Sequence, residues 1–183
     1  MIQTAKHPFE LLSQYLDYPQ EGQIEILRAG LPELENCSDA AGAKLRAFLE
    51  QAEAIAVTDR EELFTRTFDI NPACTLELGW VLYGQDYARG AFLVKMRQML
   101  NEHEIRESGE LPDHLTHVLQ LLSRLPEAVA LPFVAEEVMP GLAKMREGFK
   151  DDENPYAGVL EAIWIVLTEK YEPQAGPAAE TAP

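Results

Sequence analysis

Apolar residues recur at spacings of three and four along most of the chain, which is the pattern of amphipathic α-helices. Pro8 suits the first turn of a helix predicted from 8 to about 17. Ser38 or Asp39 caps another helix, whose apolar positions continue to 55. The residues that define these two apolar faces are Phe9, Leu12, Leu16, Leu45, Phe48, Leu49, Ala52 and Ile55. Both faces are expected to be buried.

Proline and capping residues predict where the helices of the first half end and begin. We expect a helix from about 21 to 29 to stop before Pro32, because proline disrupts a helix interior. Thr58 and Glu61 match a capping box that opens the next helix. Pro72 pushes the residue before it out of helical geometry and should end that helix near 70.

The second half of the chain continues as helices. A short buried helix is predicted to end at Gly84, followed by a helix from about 86 to 101 and another that reaches about 125. A helical run from 127 to 150 is expected to kink at Pro132 and Pro140. Asn154 with Pro155 caps the final predicted helix. No stretch alternates at period two for long enough to predict a strand.

These patterns predict an all-α protein, a single compact helical bundle of about eight to ten helices. The helical domain should occupy residues 1–171, and the length also permits two lobes joined by a linker near 102–112. Residues 172–183 are rich in Pro and Ala and lack large apolar residues. We predict a disordered tail there.

The charge of the chain narrows the class of partner. Fifteen Lys and Arg face 31 Asp and Glu, for a formal charge of −16. A nucleic-acid backbone needs neutralising cations, so no nucleic-acid partner is predicted. A basic peptide fits better, although many cytoplasmic proteins are simply acidic. Two cysteines without paired spacing, no secretory signal and no membrane span indicate a cytoplasmic protein.

The stretch "GELPDHLTHVL" (109–119) places three candidate metal ligands or proton carriers close together. We expect Pro112 at the first helical position, with Leu111 on the buried stripe. At 100° per residue, His114 falls at the edge of that stripe, His117 at the waterline, and Asp113 points outward. His114 is therefore expected at a seam between helices.

Metal binding and catalysis are weakly indicated. The other histidines, His7 and His103, lie in the N-terminal segment and in a loop, and the chain contains no HExxH, GxSxG, P-loop or GxGxxG motif. No cofactor and no metal site are predicted. A metal-dependent helical enzyme using Asp113, His114 and His117 is one alternative, and an acidic helical scaffold is another.

Two blocks of sequence resemble a known family. They are "FTRTFDINPACTLELGWVLYGQDYARGAFLVKMRQML" (64–100) and "ELPDHLTHVLQLL" (110–122). They are similar to the NarJ family, the nitrate reductase molybdenum-cofactor assembly chaperones or delta subunits, within the wider TorD-like class. Glu110, Pro112, Asp113 and His114 match the residue types of that class's E-P-x-D-H signature, with Leu111 inserted. The helical layout is alike over about 8–171.

The resemblance implies a cytoplasmic assembly chaperone and not an enzyme. Such proteins bind the N-terminal segment of an apo molybdoenzyme catalytic subunit, here a respiratory nitrate reductase, while the molybdenum cofactor is inserted. A peptide groove with an apolar floor and acidic walls is expected near the start of the 110–117 helix. Its candidate residues are Phe64, Phe68, Asp69, Tyr83, Tyr87, Glu110, Pro112, Asp113, His114 and His117.

Overall fold

The computed structural model describes residues 6–71, 74–149 and 153–171. These ranges contain ten α-helices and no strand, which confirms the predicted all-α class. The helices are α1 (Pro8–Gln14), α2 (Gln23–Cys37), α3 (Asp39–Glu53), α4 (Val57–Phe64), α5 (Leu78–Tyr83), α6 (Ala88–Glu102), α7 (Leu115–Leu122), α8 (Glu127–Phe133), α9 (Met139–Glu147) and α10 (Tyr156–Tyr171). The predicted tail, 172–183, lies outside the described residues.

One continuous apolar cluster joins all the helices from α1 to α10. Helix α1 packs against α2 and α7, α3 packs between α2 and α10, and α5 packs against α6 and α9. Most positions of the predicted apolar faces are buried, with Phe9, Leu12 and Leu16 fully inside, whereas Ile55 lies beyond the end of α3 and is only half-buried. No helix in the described ranges has the length and apolarity to cross a membrane. A division into two lobes stays a prediction.

Two predicted boundaries in the first half are wrong. Helix α2 continues through Pro32 to Cys37, because Leu31 and Leu34 on its later turns are buried in the core and outweigh the hydrogen bond that proline cannot make. Helix α4 begins at Val57, one residue before Thr58, so the predicted capping box does not form.

Kinks are predicted at Pro132 and Pro140 in the run from α8 to α9. Pro132 lies inside α8, and a π-helical turn, Val134–Val138, connects α8 to α9, which has Pro140 in its first turn. A second π-helical turn, Thr65–Asp69, follows α4 and ends the helical path before the predicted break. Lys150, the end of the predicted run, lies outside the described residues.

Helix α5 is only six residues long and ends as predicted at Gly84, which adopts a positive φ of 57°. A side chain is rarely stable in that backbone conformation. Gly84 N–H donates to Trp80 O at 2.7 Å and closes the last turn. At the start of α5, the side chain of the N-cap residue Glu77 makes no capping hydrogen bond.

Candidate functional site

The segment before α7 pairs with the segment before α5. Leu115 N–H donates to Leu76 O at 2.8 Å, and Leu78 N–H donates to Asp113 O at 3.1 Å. The isolated antiparallel pairing, and a turn in which His114 N–H donates to Leu111 O at 3.0 Å, keep 111–114 out of the helix, so α7 begins at Leu115 and not at Pro112 as predicted. Pro112 is buried just ahead of it. Because Asp113 lies in this turn and not in the helix, the helical period does not decide where its side chain points.

Asp113 is completely buried, and the prediction that it points outward is wrong. Its Oδ2 accepts a hydrogen bond of 2.7 Å from Gly79 N–H. Asp113 thereby caps α5 from a distant part of the chain and occupies the positive end of that helix. Burial raises the pKa of Asp113, and the Gly79 hydrogen bond opposes the shift. The other carboxylate oxygen, Oδ1, is buried without a hydrogen-bond partner among the described residues.

His117 is buried with 1% of its surface exposed, so the prediction that it lies at the waterline is wrong. Its Nε2 accepts from Ser108 N–H at 3.0 Å, and its Nδ1 lies 2.9 Å from Leu111 O. These two partners assign the neutral tautomer with the proton on Nδ1. His117 therefore ties two points of the preceding loop to α7.

His114 is buried, and it is the N-cap of α7. Its Nδ1 accepts from the Thr116 hydroxyl at 2.7 Å and from Thr116 N–H at 3.4 Å. Burial, with a smaller contribution from His117, lowers the pKa of His114 to about 4. The side chain is thus a neutral cap near pH 7, which agrees with the expected packing at a seam between helices.

The hydrogen bonds of Asp113, His114 and His117 bear on whether these residues bind a metal ion or act in catalysis. The described residues contain no group of three or more His, Cys, Asp or Glu side chains placed to hold a metal ion. Both ring nitrogens of His117 and one oxygen of Asp113 are already committed to backbone groups. In the described structure, Asp113, His114 and His117 hold in place the start of α5, the start of α7 and the loop between α6 and α7.

Phe64 and Phe68 belong to the core. Their rings lie 5.1 Å apart, and the Tyr156 ring is 5.7 Å from Phe64 and 5.0 Å from Phe68. Both phenylalanines are buried, so in this conformation they lie beneath the protein surface and are not part of it. Asp69, at the end of the π-helical turn, is exposed beside the exposed side chain of Ile70.

Tyr83, Tyr87 and Glu110 are the remaining predicted residues. Tyr83 is half-buried with its ring 5.5 Å from Phe92, whereas Tyr87 is 94% exposed just before α6. Glu110 is exposed in the loop before α7 and acts electrostatically on Glu77, whose pKa is raised chiefly by burial. These three side chains are accessible, unlike Asp113, His114 and His117.

Two residues beside this surface were not singled out from the sequence. Arg89 donates to Glu77 Oε2 at 3.0 Å and lies 5.0 Å over the Trp80 ring. Gly79 permits the close approach of Asp113, because a Cβ there would lie 2.7 Å from Oδ2. A glycine inside a six-residue helix is the sequence signal that points to such an approach.

The acidic loop 103–111 is fixed to α7 at both ends. Arg124 Nη1 donates to His103 O at 2.8 Å and to Glu104 O at 3.2 Å, and His117 binds the far end. Arg97 and Glu107 form a two-point ion pair at 2.8 and 3.1 Å, which joins the loop to α6. The loop is therefore an ordered acidic strap along α7.

A family model for the nitrate reductase delta subunit matches residues 32–162, which is more than half of the chain. The chain belongs to the nitrate reductase delta subunit family. The resemblance identified from the two sequence blocks is thereby confirmed. Asp113, Gly79, His117 and the acidic strap all lie inside the matched region, whereas α1 lies outside it.

Two relatives are similar over most of the chain. They are the proteins named nitrate reductase molybdenum cofactor assembly chaperone NarJ from Escherichia coli K12 and from Escherichia coli O157:H7. Each is 25% identical over 158 residues, which are 84% of this chain and 66% of the relative. The chain therefore spans about two thirds of the length of these members of the delta subunit family.

Proposed function

We propose that this delta subunit family member is an assembly chaperone and not an enzyme. It binds the N-terminal segment of an apo molybdoenzyme catalytic subunit, with a respiratory nitrate reductase as client, in the cytoplasm while the molybdenum cofactor is inserted. The observation that carries the proposal is the family match over residues 32–162. The molybdenum cofactor is the group that the client receives in this proposal.

The charge and the surface of the chain support a basic peptide as ligand. The net charge of −16 favours association with a segment that carries Arg or Lys. Among the predicted peptide-binding residues, Asp69, Tyr83, Tyr87 and Glu110 have accessible side chains. The buried members of the prediction act by fixing the backbone that presents this surface.

Calorimetric titration tests the proposal. The titrant is a synthetic peptide with the first ~30 residues of the nitrate reductase catalytic subunit from the same organism, a length that spans an amphipathic recognition helix. We expect saturable binding that weakens as salt rises. The control is a peptide of the same composition in scrambled order. Absence of binding at low salt, with no co-purification of the apo catalytic subunit, would contradict the proposed function.

A further inference from the structure

A concave surface lies between α1 and α7 and extends to α2. Two adjoining cavities of about 270 and 340 Å³ share the lining residues Lys6, Gln14 and Asp17. The first continues between α1 and α7 to Gln120 and Arg124, and the second continues along the turn after α1 to α2. We call the two together the α1–α7 furrow. It is continuous over both cavities because they have three residues in common.

Helices α1 and α7 run in opposite directions along the furrow. Near one end, the Ser123 hydroxyl lies 3.4 Å from Glu10 Oε1. At the other end, Asp17 lies close enough to His117 for the two to interact electrostatically. His117 also fixes the acidic strap, and Arg124, which lines the furrow, donates to strap carbonyls, so the furrow and the strap adjoin.

The turn that carries Asp17 is held in place. Gln23 Nε2 donates to Asp17 O at 3.1 Å and to Gln14 O at 3.5 Å, which connects this turn to α2. The Tyr18 ring packs edge-on against Phe64 at 5.5 Å. The surface is therefore preformed, which lowers the entropic cost of binding a ligand.

The furrow combines carboxylates with exposed apolar side chains. Glu10, Asp17 and Glu21 line it together with the cations Lys6 and Arg124. The Arg124 guanidinium is already committed to carbonyls of the acidic strap. Tyr18 is 46% exposed and Ile26 on α2 is 58% exposed, so both present apolar surface at the rim.

Asp17 is the carboxylate that lines both cavities of the furrow. It is an exposed residue overall, but it lines both cavities, and the surrounding protein partly desolvates its carboxyl and raises its pKa to about 6. A guanidinium or ammonium group placed beside Asp17 would stabilise the carboxylate in this setting.

We propose that the α1–α7 furrow is the docking site for a cationic amphipathic segment of the client, with an Arg or Lys side chain at Asp17 and an apolar side chain on Tyr18 and Ile26. This inference rests on the proposed function for the identity of the partner, and it adds a contact on residues other than the predicted Asp69, Tyr83, Tyr87 and Glu110. The furrow offers a carboxylate and an apolar rim on a chain of net charge −16, and these complement the cationic and apolar side chains of such a segment. The same features make a second, equally acidic copy of the chain an unsuitable occupant.

Titration of furrow variants with the ~30-residue catalytic-subunit peptide tests the site. Asp17→Asn should weaken binding by at least about fivefold at low salt, and the loss should shrink as salt rises. Ile26→Ser should weaken binding by a similar factor with little dependence on salt. The matched controls are Glu136→Gln and Val129→Ser, exposed positions on the π-helical turn after α8 and on α8.

The outcomes separate this inference from the proposed function. Binding by the unaltered chain, with both furrow variants within twofold of it, overturns the furrow and leaves the proposed chaperone function standing. Equal losses in the furrow variants and the controls also overturn the furrow. Absence of binding by the unaltered chain overturns both. Thermal unfolding of each variant, followed by circular dichroism, ensures that only folded proteins are compared.

Discussion

The Asp113 carboxylate accepts a hydrogen bond of 2.7 Å from the backbone N–H of Gly79, which lies 34 residues earlier in the chain. The contact joins the start of α7 to the start of α5 within the region that defines the family. It provides the buried Asp113 carboxylate with a hydrogen-bond partner. The motif acts as a structural clasp, and substitutions in it should change stability before they change binding.

The first prediction concerns the clasp itself. Asp113→Ala should lower the free energy of unfolding by roughly 1–3 kcal/mol, because it removes a cap and leaves the Gly79 N–H buried without a partner. Asp113→Asn keeps an oxygen that can accept from Gly79, so it should cost about 1 kcal/mol or less. Urea unfolding measures both. Equal losses for Ala and Asn would show that charge, and not the cap, is what matters.

The second prediction concerns the space at Gly79. Gly79→Ala places a Cβ 2.7 Å from Asp113 Oδ2 and 2.8 Å from Phe92 Cδ1, and both groups are buried. We expect a loss of roughly 1–3 kcal/mol from overpacking. The matched control is Gly90→Ala on α6, where nothing lies within 4 Å of the added Cβ. That change should stabilise the protein by about 0.5–1 kcal/mol through helix propensity. A stabilising Gly79→Ala would contradict the packing.

The sequence predicted helices well wherever a long apolar stripe meets the core. The faces at Leu12, Leu45 and Leu49 are buried as their spacing indicates. The cap at Ser38 and the cap at Asn154 also form, because each depends on backbone groups only two or three residues away. Local chemistry is readable from local sequence.

The sequence could not predict the candidate site to the same degree. The predicted orientations of the Asp113 and His117 side chains follow from a helix that begins at Pro112. The helix in fact begins at Leu115, because the preceding residues pair with 76–78. That pairing is a long-range contact, so no helical period contains it. The later start removes Asp113 from the helix, whereas His117 keeps its angle to Leu115 and Val118 and is buried because the loop at 108–111 binds its ring.

The third prediction concerns the acidic strap. His117→Ala removes the partners of Ser108 N–H and Leu111 O, so amide hydrogen exchange in 104–111 should accelerate by about tenfold or more, as expected for a local opening. His103→Ala is the control, because Arg124 binds its backbone carbonyl, which the substitution retains. Exchange measured by mass spectrometry locates the effect. Uniform acceleration across all helices would indicate global destabilisation and contradict a local role.

The fourth prediction concerns pH. The pKa of His114 is lowered from 6.5 to about 4 mainly by burial, so the unfolded chain binds a proton on this side chain at a higher pH than the folded chain does. Its contribution to stability is therefore complete above pH 6.5 and is lost as pH falls from 6.5 to about 4. The full loss is on the order of 3 kcal/mol, since one pKa unit corresponds to about 1.4 kcal/mol.

His114→Asn isolates that contribution. Asparagine keeps an oxygen that can cap α7 but does not titrate, so the carboxylates that also titrate near pH 4 cancel when the two proteins are subtracted. Urea unfolding of both proteins at several pH values between 7.5 and 4.5 gives the difference. We expect it to be constant above pH 6.5 and to shift in favour of the Asn variant below it. Parallel curves down to pH 4.5 would mean that His114 binds its proton equally well in the folded and unfolded chain, in conflict with its burial.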